Sequence, residues 1–306
     1  MESSLAGTVL SRDLHAADGR IVASRGEVID LSLLKAVAAK APKERRDRPL
    51  HETVVAEAVL EAFEAPALQY LVGAEQGRAT VADALTEVRF PAPVWEELDA
   101  LRREDGPRFQ HAVWTAVVAA RMFRNALGTA APGLPRLVGG ALVHDVGMRP
   151  AALRLRFKRD HLTREEAAAI EDHPMMGALI LASSLGDAPA VHFALLHHRH
   201  AGVGYPRVSG IAPLRGLDLV AVASAFSALV APRSFRAQAF NARGAIDQLL
   251  DEAKLGFFDE RAVRLLVHCL RGRPGPAREL ELPKKATGFR PPANCYGLGT
   301  GSRLSA

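Results

Sequence analysis

Four polar signals along the chain carry the residue types of a hydrolytic metal centre: His111, the pair His144-Asp145, His173 followed by Pro174, and the adjacent His197-His198. Imidazole is costly to bury unless it has a hydrogen-bonding partner or a metal, and each of these residues stands beside or within an apolar segment. Metal-assisted hydrolysis of a phosphoester needs nitrogen and carboxylate ligands held at fixed angles, with positions left open for water and phosphate. Imidazole combined with an oxygen ligand suits iron, manganese or zinc better than calcium or magnesium. Asp145 can bridge two ions because a carboxylate has two oxygens, so the set His111, His144, Asp145, His173, His197 and His198 provides for one or two divalent ions. Any one of these histidines alone reads as a hydrogen-bonded core residue, as do His192, His200 and His268. Only the ordered set is specific.

Ligands at such separations must be brought together by helices, each sending one or two side chains inward. From about Pro107 to Arg271 the apolar spacing is helical. Val113, Ala116, Val117, Ala120, Phe123 and Leu127 form one stripe, and Leu137, Val138, Ala141 and Leu142 form a second that ends at His144-Asp145. A third helix starts at the capping box Thr163-x-x-Glu166, and a fourth at His173-Pro174, where proline suits the first turn. Asp187 and Pro189 open a fifth, with Val191, Ala194 and Leu195 facing inward and His197-His198 at its end. The apolar run Leu217 to Val230 and a helix capped by Asp259 and reaching Leu270 complete a bundle.

Ahead of the bundle, Thr8-Val9-Leu10 and Arg20-Ile21-Val22-Ala23 read as strands joined through Asp18-Gly19, a hairpin signal, and a short helix follows over Leu33 to Lys40. The expected organisation is a small β-containing module over 1–45 and a helical connector or dimerisation element over 46–106. The bundle occupies 107–272, and a glycine- and proline-bearing mobile tail 273–306. The 306 residues are 48% hydrophobic and 24% charged, with a net charge of +5, which fits a soluble globular protein. The sequence shows no apolar run of membrane-spanning length and no leader pattern, which predicts a cytoplasmic, bacterial-type protein without a membrane span. Cys269 and Cys295 lack any paired spacing. The modest basic charge fits a polyanionic small ligand, and the absence of repeats or arginine-aromatic motifs argues against DNA.

The ordered motifs resemble those of the HD-GYP family, metal-dependent phosphohydrolases of the HD-domain class, over roughly residues 107 to 270. The matching segments are His111, His144-Asp145-Val146-Gly147, Lys158, Leu162-Thr163-x-Glu165-Glu166, His173-Pro174-x-x-Gly177, His197-His198 and Gly202-Val203-Gly204-Tyr205-Pro206. The resemblance implies a mainly α fold, an HD-type helical bundle preceded by the small β-containing module. It implies metal-dependent hydrolysis of cyclic di-GMP, with His144 and Asp145 central to catalysis and all six residues as ligands to iron or manganese, or to zinc. It further implies phosphate binding by Lys158, Arg233 and Arg236, and guanine packing near Tyr205. The expected partners are cyclic di-GMP or a related nucleotide, a diguanylate-cyclase domain docking on the Gly204-Tyr205-Pro206 turn, and a second copy in a homodimer.

The chain also departs from the family pattern. Met148 stands where a lysine is usual. Arg199, His200 and Ala201 replace an acidic loop that is one residue longer, and Ser224 and Ser227 replace two aspartates of a late motif, the first of them a ligand. Pro107 lies where some members carry a glutamate for a third ion. Two readings follow: a cyclic di-GMP phosphodiesterase, and a catalytically degenerate HD-GYP domain serving as nucleotide sensor or interaction scaffold.

Overall fold

A computed structural model describes residues 8–72, 75–127, 133–149, 155, 162–212, 214–233, 236, 238–272 and 287–291. The architecture is mainly α, with four short two-stranded antiparallel pairs. The first two pairs lie ahead of α1 (Leu31–Ala39). Here the expected hairpin is corrected. β1 (Thr8–Val9) pairs with β4 (Val28–Ile29), whereas β3 (Ile21–Ala23) pairs with β2 (Leu14–His15). The Asp18-Gly19 turn is real, but the strand before it is Leu14–His15; Asp18 Oδ1 accepts from the Arg20 amide and Gly19 takes φ +83°.

The connector is a folded unit of four helices: α2 (Val55–Glu64), α3 (Gln69–Val72), α4 (Glu75–Thr86) and α5 (Ala92–Glu104). The pair β5 (Asp47–Pro49) and β6 (Arg89–Pro91) closes it. Pro93 sits in the first turn of α5, where no amide hydrogen is needed.

The bundle centres on α6 (Gly106–Leu127), whose residues from His111 to Ala120 are all buried. It packs against α7 (Leu134–Val143) and α11 (Leu217–Val230). Between them in sequence lie α8 (Arg164–Glu171), α9 (His173–Leu185) and α10 (Pro189–Leu196). The capping box is formed as expected: Thr163 accepts from the Glu166 amide, and Glu166 accepts from the Thr163 amide. α12 (Ala242–Lys254) was not foreseen from the sequence, and α13 (Glu260–Arg271) starts at its Asp259 cap.

One hydrophobic cluster runs from Leu10 to Cys269, so the N-terminal strands share the bundle's core. α1 and β3 lie on α9; Arg20 donates to Ser184 Oγ and Arg45 to the Leu185 carbonyl. Of the tail expected to be mobile, 273–306, only 287–291 is described and the rest lies outside the described residues; at 287–291 the chain is held in place. The amides of Thr287 and Gly288 donate to the buried Asp247, and Arg290 pairs with Asp251. No helix among the described residues is long and apolar enough to cross a membrane.

Candidate metal centre

Each predicted ligand sits where a helix begins, ends or crosses another. His144 and Asp145 follow the last turn of α7, His173 opens α9, His197 and His198 follow α10, and His111 lies in the second turn of α6. The crossing that brings Asp145 to α9 depends on glycine. A Cβ on Gly147 would lie 2.1 Å from the His173 carbonyl oxygen and 2.3 Å from the Gly177 amide nitrogen.

Asp145 is the hub. Its Oδ1 lies 3.1 Å from His173 Nε2, 3.7 Å from His197 Nε2 and 3.8 Å from His144 Nε2. Its Oδ2 faces His111 Nε2 at 3.6 Å and Arg108 Nη1 at 3.5 Å. The donor atoms form two overlapping groups, Asp145 with His173, His197 and His198, and Asp145 with His111 and His144. Five of the six side chains are buried, and His198 is half-buried.

Three of the imidazoles are held in one tautomer by the same local device. The Nδ1–H of His144 donates to the Ala141 carbonyl, that of His173 to Ile170, and that of His197 to Ala194. Each partner is three residues back, so each Nε2 is left as a lone pair aimed at the hub. His173 Nε2 and His197 Nε2 then stand 3.1 Å apart with no proton between them, and both face a carboxylate oxygen. Lone pairs converge this way around a cation, and the donor set fits a divalent transition-metal ion.

The electrostatics keep the ligands in their binding forms. Burial pushes His111 well below the ordinary imidazole value, with the Arg233 charge acting in the same direction. Burial holds His144 at about 4 and lowers His173 as well. Burial alone would raise Asp145, but the imidazoles of His144, His173 and His197 outweigh it and hold the carboxyl well below its usual range. These shifts favour the neutral forms of His111, His144 and His173 and the ionised form of Asp145.

The predicted substrate-binding residues separate. Arg233 lies close enough to His111, Arg108 and Asp145 for their charges to act on one another; burial and then Arg108 lower its own value to about 10. Tyr205 reaches the centre, but its buried ring stacks on His198 at 4.6 Å, so its visible contact is with a candidate ligand. Arg236 turns elsewhere: its Nη2 donates to the carbonyls of Ala228 and Ala231, holding the end of α11. Lys158 lies outside the described residues. Met148, in the position of the usual lysine, is buried in a small apolar cluster with Leu155 and Ile170. His192 pairs with Asp187, His200 with Asp218, and His268 with Asn125, so all three are ordinary hydrogen-bonded residues.

The altered loop is a tight hairpin, β7 (Arg199–His200) against β8 (Val203–Gly204). Ala201 at φ +48° and Gly202 at φ +87° are its two central residues, the signature of a primed two-residue turn. Arg199 Nη1 donates to the Val208 carbonyl and secures the return of the chain.

Sequence reasoning missed Arg108. It pairs with Asp105 at 3.5 Å and with Asp145 at the same distance, and the link across 37 positions leaves no periodic signal. It also missed what Ser224 does: its Oγ lies 3.2 Å from His144 Nε2 and 3.3 Å from His111 Nε2.

A family profile for the HD domain matches residues 106–262, half of the chain. The chain belongs to the HD-domain family and, within it, to the HD-GYP group whose motifs it carries. It is 26% identical over 168 residues to the cyclic di-GMP phosphodiesterase PdeB of Borreliella burgdorferi. That alignment covers 54% of this chain and 43% of PdeB, so the chain spans less than half the length of this relative. Among solved structures, Bd1817, an HDG"Y"P protein from Bdellovibrio bacteriovorus, superposes with a TM-score of 0.46 at 18% identity, covering 71% of this chain and 69% of that one.

Proposed function

We propose that the chain is a metal-dependent phosphodiesterase acting on cyclic di-GMP, with iron or manganese, or zinc, held by Asp145 and the surrounding imidazoles. The observation that carries this reading is the convergence of lone-pair-bearing Nε2 atoms on Asp145 Oδ1, with the His173 and His197 nitrogens 3.1 Å apart. A divalent ion in such a site supplies Lewis acidity toward a phosphoryl oxygen and toward water. The residues supply the rest. Asp145 stays ionised, the carbonyls of Ala141, Ile170 and Ala194 hold the three imidazoles in the ligating tautomer, and Tyr205 fixes the His198 ring by stacking. Arg108 and Arg233 offer positive charge where a phosphate would enter.

The test is turnover by the purified chain loaded anaerobically with Mn(II) or Fe(II), followed by separation of cyclic di-GMP from its linear and mononucleotide products. Hydrolysis that disappears in His197→Ala is expected. A second reading, a nucleotide-binding sensor that has lost turnover, is favoured by Ser224 in place of a carboxylate and by the buried, unpartnered Ser227 hydroxyl. Cyclic di-GMP binding without turnover under both metals would select it over the enzyme.

A further inference from the structure

The two overlapping donor groups around Asp145 are not equivalent. In the group of His173, His197 and Asp145, both imidazole protons are committed to backbone carbonyls and only lone pairs point inward. In the other group His111 has no such anchor: its Nδ1 is buried without a hydrogen-bond partner. Its proton is therefore placed on Nε2, the atom that faces Ser224 Oγ. Ser224 in turn can donate its own proton to the lone pair of His144 Nε2. The chain His111 Nε2–H to Ser224 Oγ–H to His144 Nε2 satisfies all three groups with no ion present, and an imidazole nitrogen that carries a proton cannot ligate a metal.

Charge points the same way. Asp145 Oδ2 is the oxygen that would have to reach a second ion, and Arg108 Nη1 already lies 3.5 Å from it. Arg233 adds a second guanidinium beside His111, and Arg236 a third positive charge that acts on Arg233. Facing these are two carboxylates, Asp105 and Asp145, and Asp145 is shared with the first donor group. Among the described residues, a divalent ion placed there would meet excess positive charge and no carboxylate of its own.

We infer that this is a one-ion centre: Asp145, His173, His197 and His198 hold the ion, and Arg108 and Arg233 stand in for a second cation beside a His111–Ser224–His144 hydrogen-bond chain. This rests on the metal-centre reading proposed above. The guanidinium side is then an anion subsite, suited to a non-bridging phosphate oxygen rather than to a metal.

The experiment counts metal rather than activity. The full chain, saturated with Mn(II) and freed of excess, is measured by inductively coupled plasma mass spectrometry, and its affinity by calorimetry. One ion per chain is expected. His111→Gln should keep that ion with less than a threefold change in Kd, while His197→Ala should lose it. The double variant R108A/S224D, which removes the guanidinium and restores a carboxylate, should rise to two ions. Two ions in the unaltered chain, loss of the ion in His111→Gln, or a folded double variant that stays at one would each overturn the inference. No ion at all in the unaltered chain would overturn it together with the metal-centre reading. Should the double variant fail to fold by circular dichroism, the counts for the unaltered chain and for His111→Gln decide alone.

Discussion

Replacing Gly147 by alanine tests whether the metal centre depends on one close backbone crossing. The added Cβ would lie 2.1 Å from the His173 carbonyl oxygen, 2.3 Å from the Gly177 nitrogen and 2.8 Å from the Gly177 Cα. All three are backbone atoms, so no side chain can rotate away, and the turn at 146–148 and α9 must separate by about 1 Å to restore van der Waals contact. Overpacking of this kind costs about 1–3 kcal/mol, and a backbone-to-backbone clash belongs at the upper end. At about 2–4 °C per kcal/mol for a chain of this class, the melting temperature should fall by roughly 6–12 °C.

The consequence for the site is larger than for the fold. Asp145 is two residues before the added methyl, and the clashing carbonyl belongs to His173, whose Nε2 is 3.1 Å from Asp145 Oδ1. Metal sites tolerate ligand displacements of about 0.2 Å, so a separation of about 1 Å should weaken Mn(II) binding at least tenfold. Thermal melts by circular dichroism and calorimetric titration of Mn(II) read the two effects. Gly106→Ala is the control, because a Cβ there meets nothing within 4 Å. A Gly147→Ala protein that melts within about 1 °C of the parent and binds Mn(II) equally well would refute the reasoning.

Three further outcomes follow from other sites. Ala201 holds φ +48° in the β7–β8 turn, a conformation that costs a residue with a Cβ about 1–2 kcal/mol; Ala201→Gly should stabilise the chain by up to about 1 kcal/mol in urea unfolding once the glycine's unfolded-state entropy is subtracted. Glu97 is buried, accepts from the Ala17 amide and lies 3.3 Å from Arg149 Nε, while Arg149 also reaches Glu104 and the His15 carbonyl. Arg149→Met should therefore cost on the order of 3 kcal/mol and expose the strands at 8–29 to proteolysis earlier than the bundle. In the metal-free protein His144 stays neutral to about 4 in the folded state against 6.5 unfolded. The unfolded chain takes up the proton first, so stability is full above pH 6.5, falls as the pH drops toward 4, and loses about 3 kcal/mol from this group. Denaturation midpoints of the metal-free protein across that window should show the loss.

The bundle was legible in the sequence because its helices carry strong local signals: the stripe at Val113 to Phe123, the Thr163/Glu166 capping box and Pro174 in a first turn. α12 was not, although Ala245, Ile246, Leu249 and Leu250 are its buried face. Charges at Arg243, Asp247, Asp251, Glu252 and Lys254 dilute the stripe, and its cap, Asn241, follows no apolar run. The N-terminal strands are two or three residues long, so the partner of each is fixed by tertiary packing; Val28–Ile29, which takes the place expected for Ile21–Ala23, has no alternation to announce it. At the site, the ligand types and their order were readable because histidine is rare beside apolar runs. The partners that decide what those ligands can hold were not. Ala141, Ile170 and Ala194 act through backbone carbonyls, which no residue identity encodes, and Arg108 meets Asp145 only through the packing of α6 on α7.

That distinction bears on how a centre can lose a carboxylate and keep its form. The imidazoles of His144, His173 and His197 are each anchored within their own turn of chain, to the residue three before, so their orientation does not depend on what stands at position 224. A small apolar residue there would still have left the nitrogens of His111 and His144 buried without a partner, at about 1–3 kcal/mol for each unsatisfied group. Serine avoids this because one hydroxyl both accepts and donates, and it lies within 3.3 Å of both rings. Serine at 224 thus satisfies both rings without bringing a negative charge to the side of the site where Arg108 approaches Asp145. The ring orientations are set by helix ends, so they rest on the carbonyls of Ala141, Ile170 and Ala194 and not on the side chain at 224.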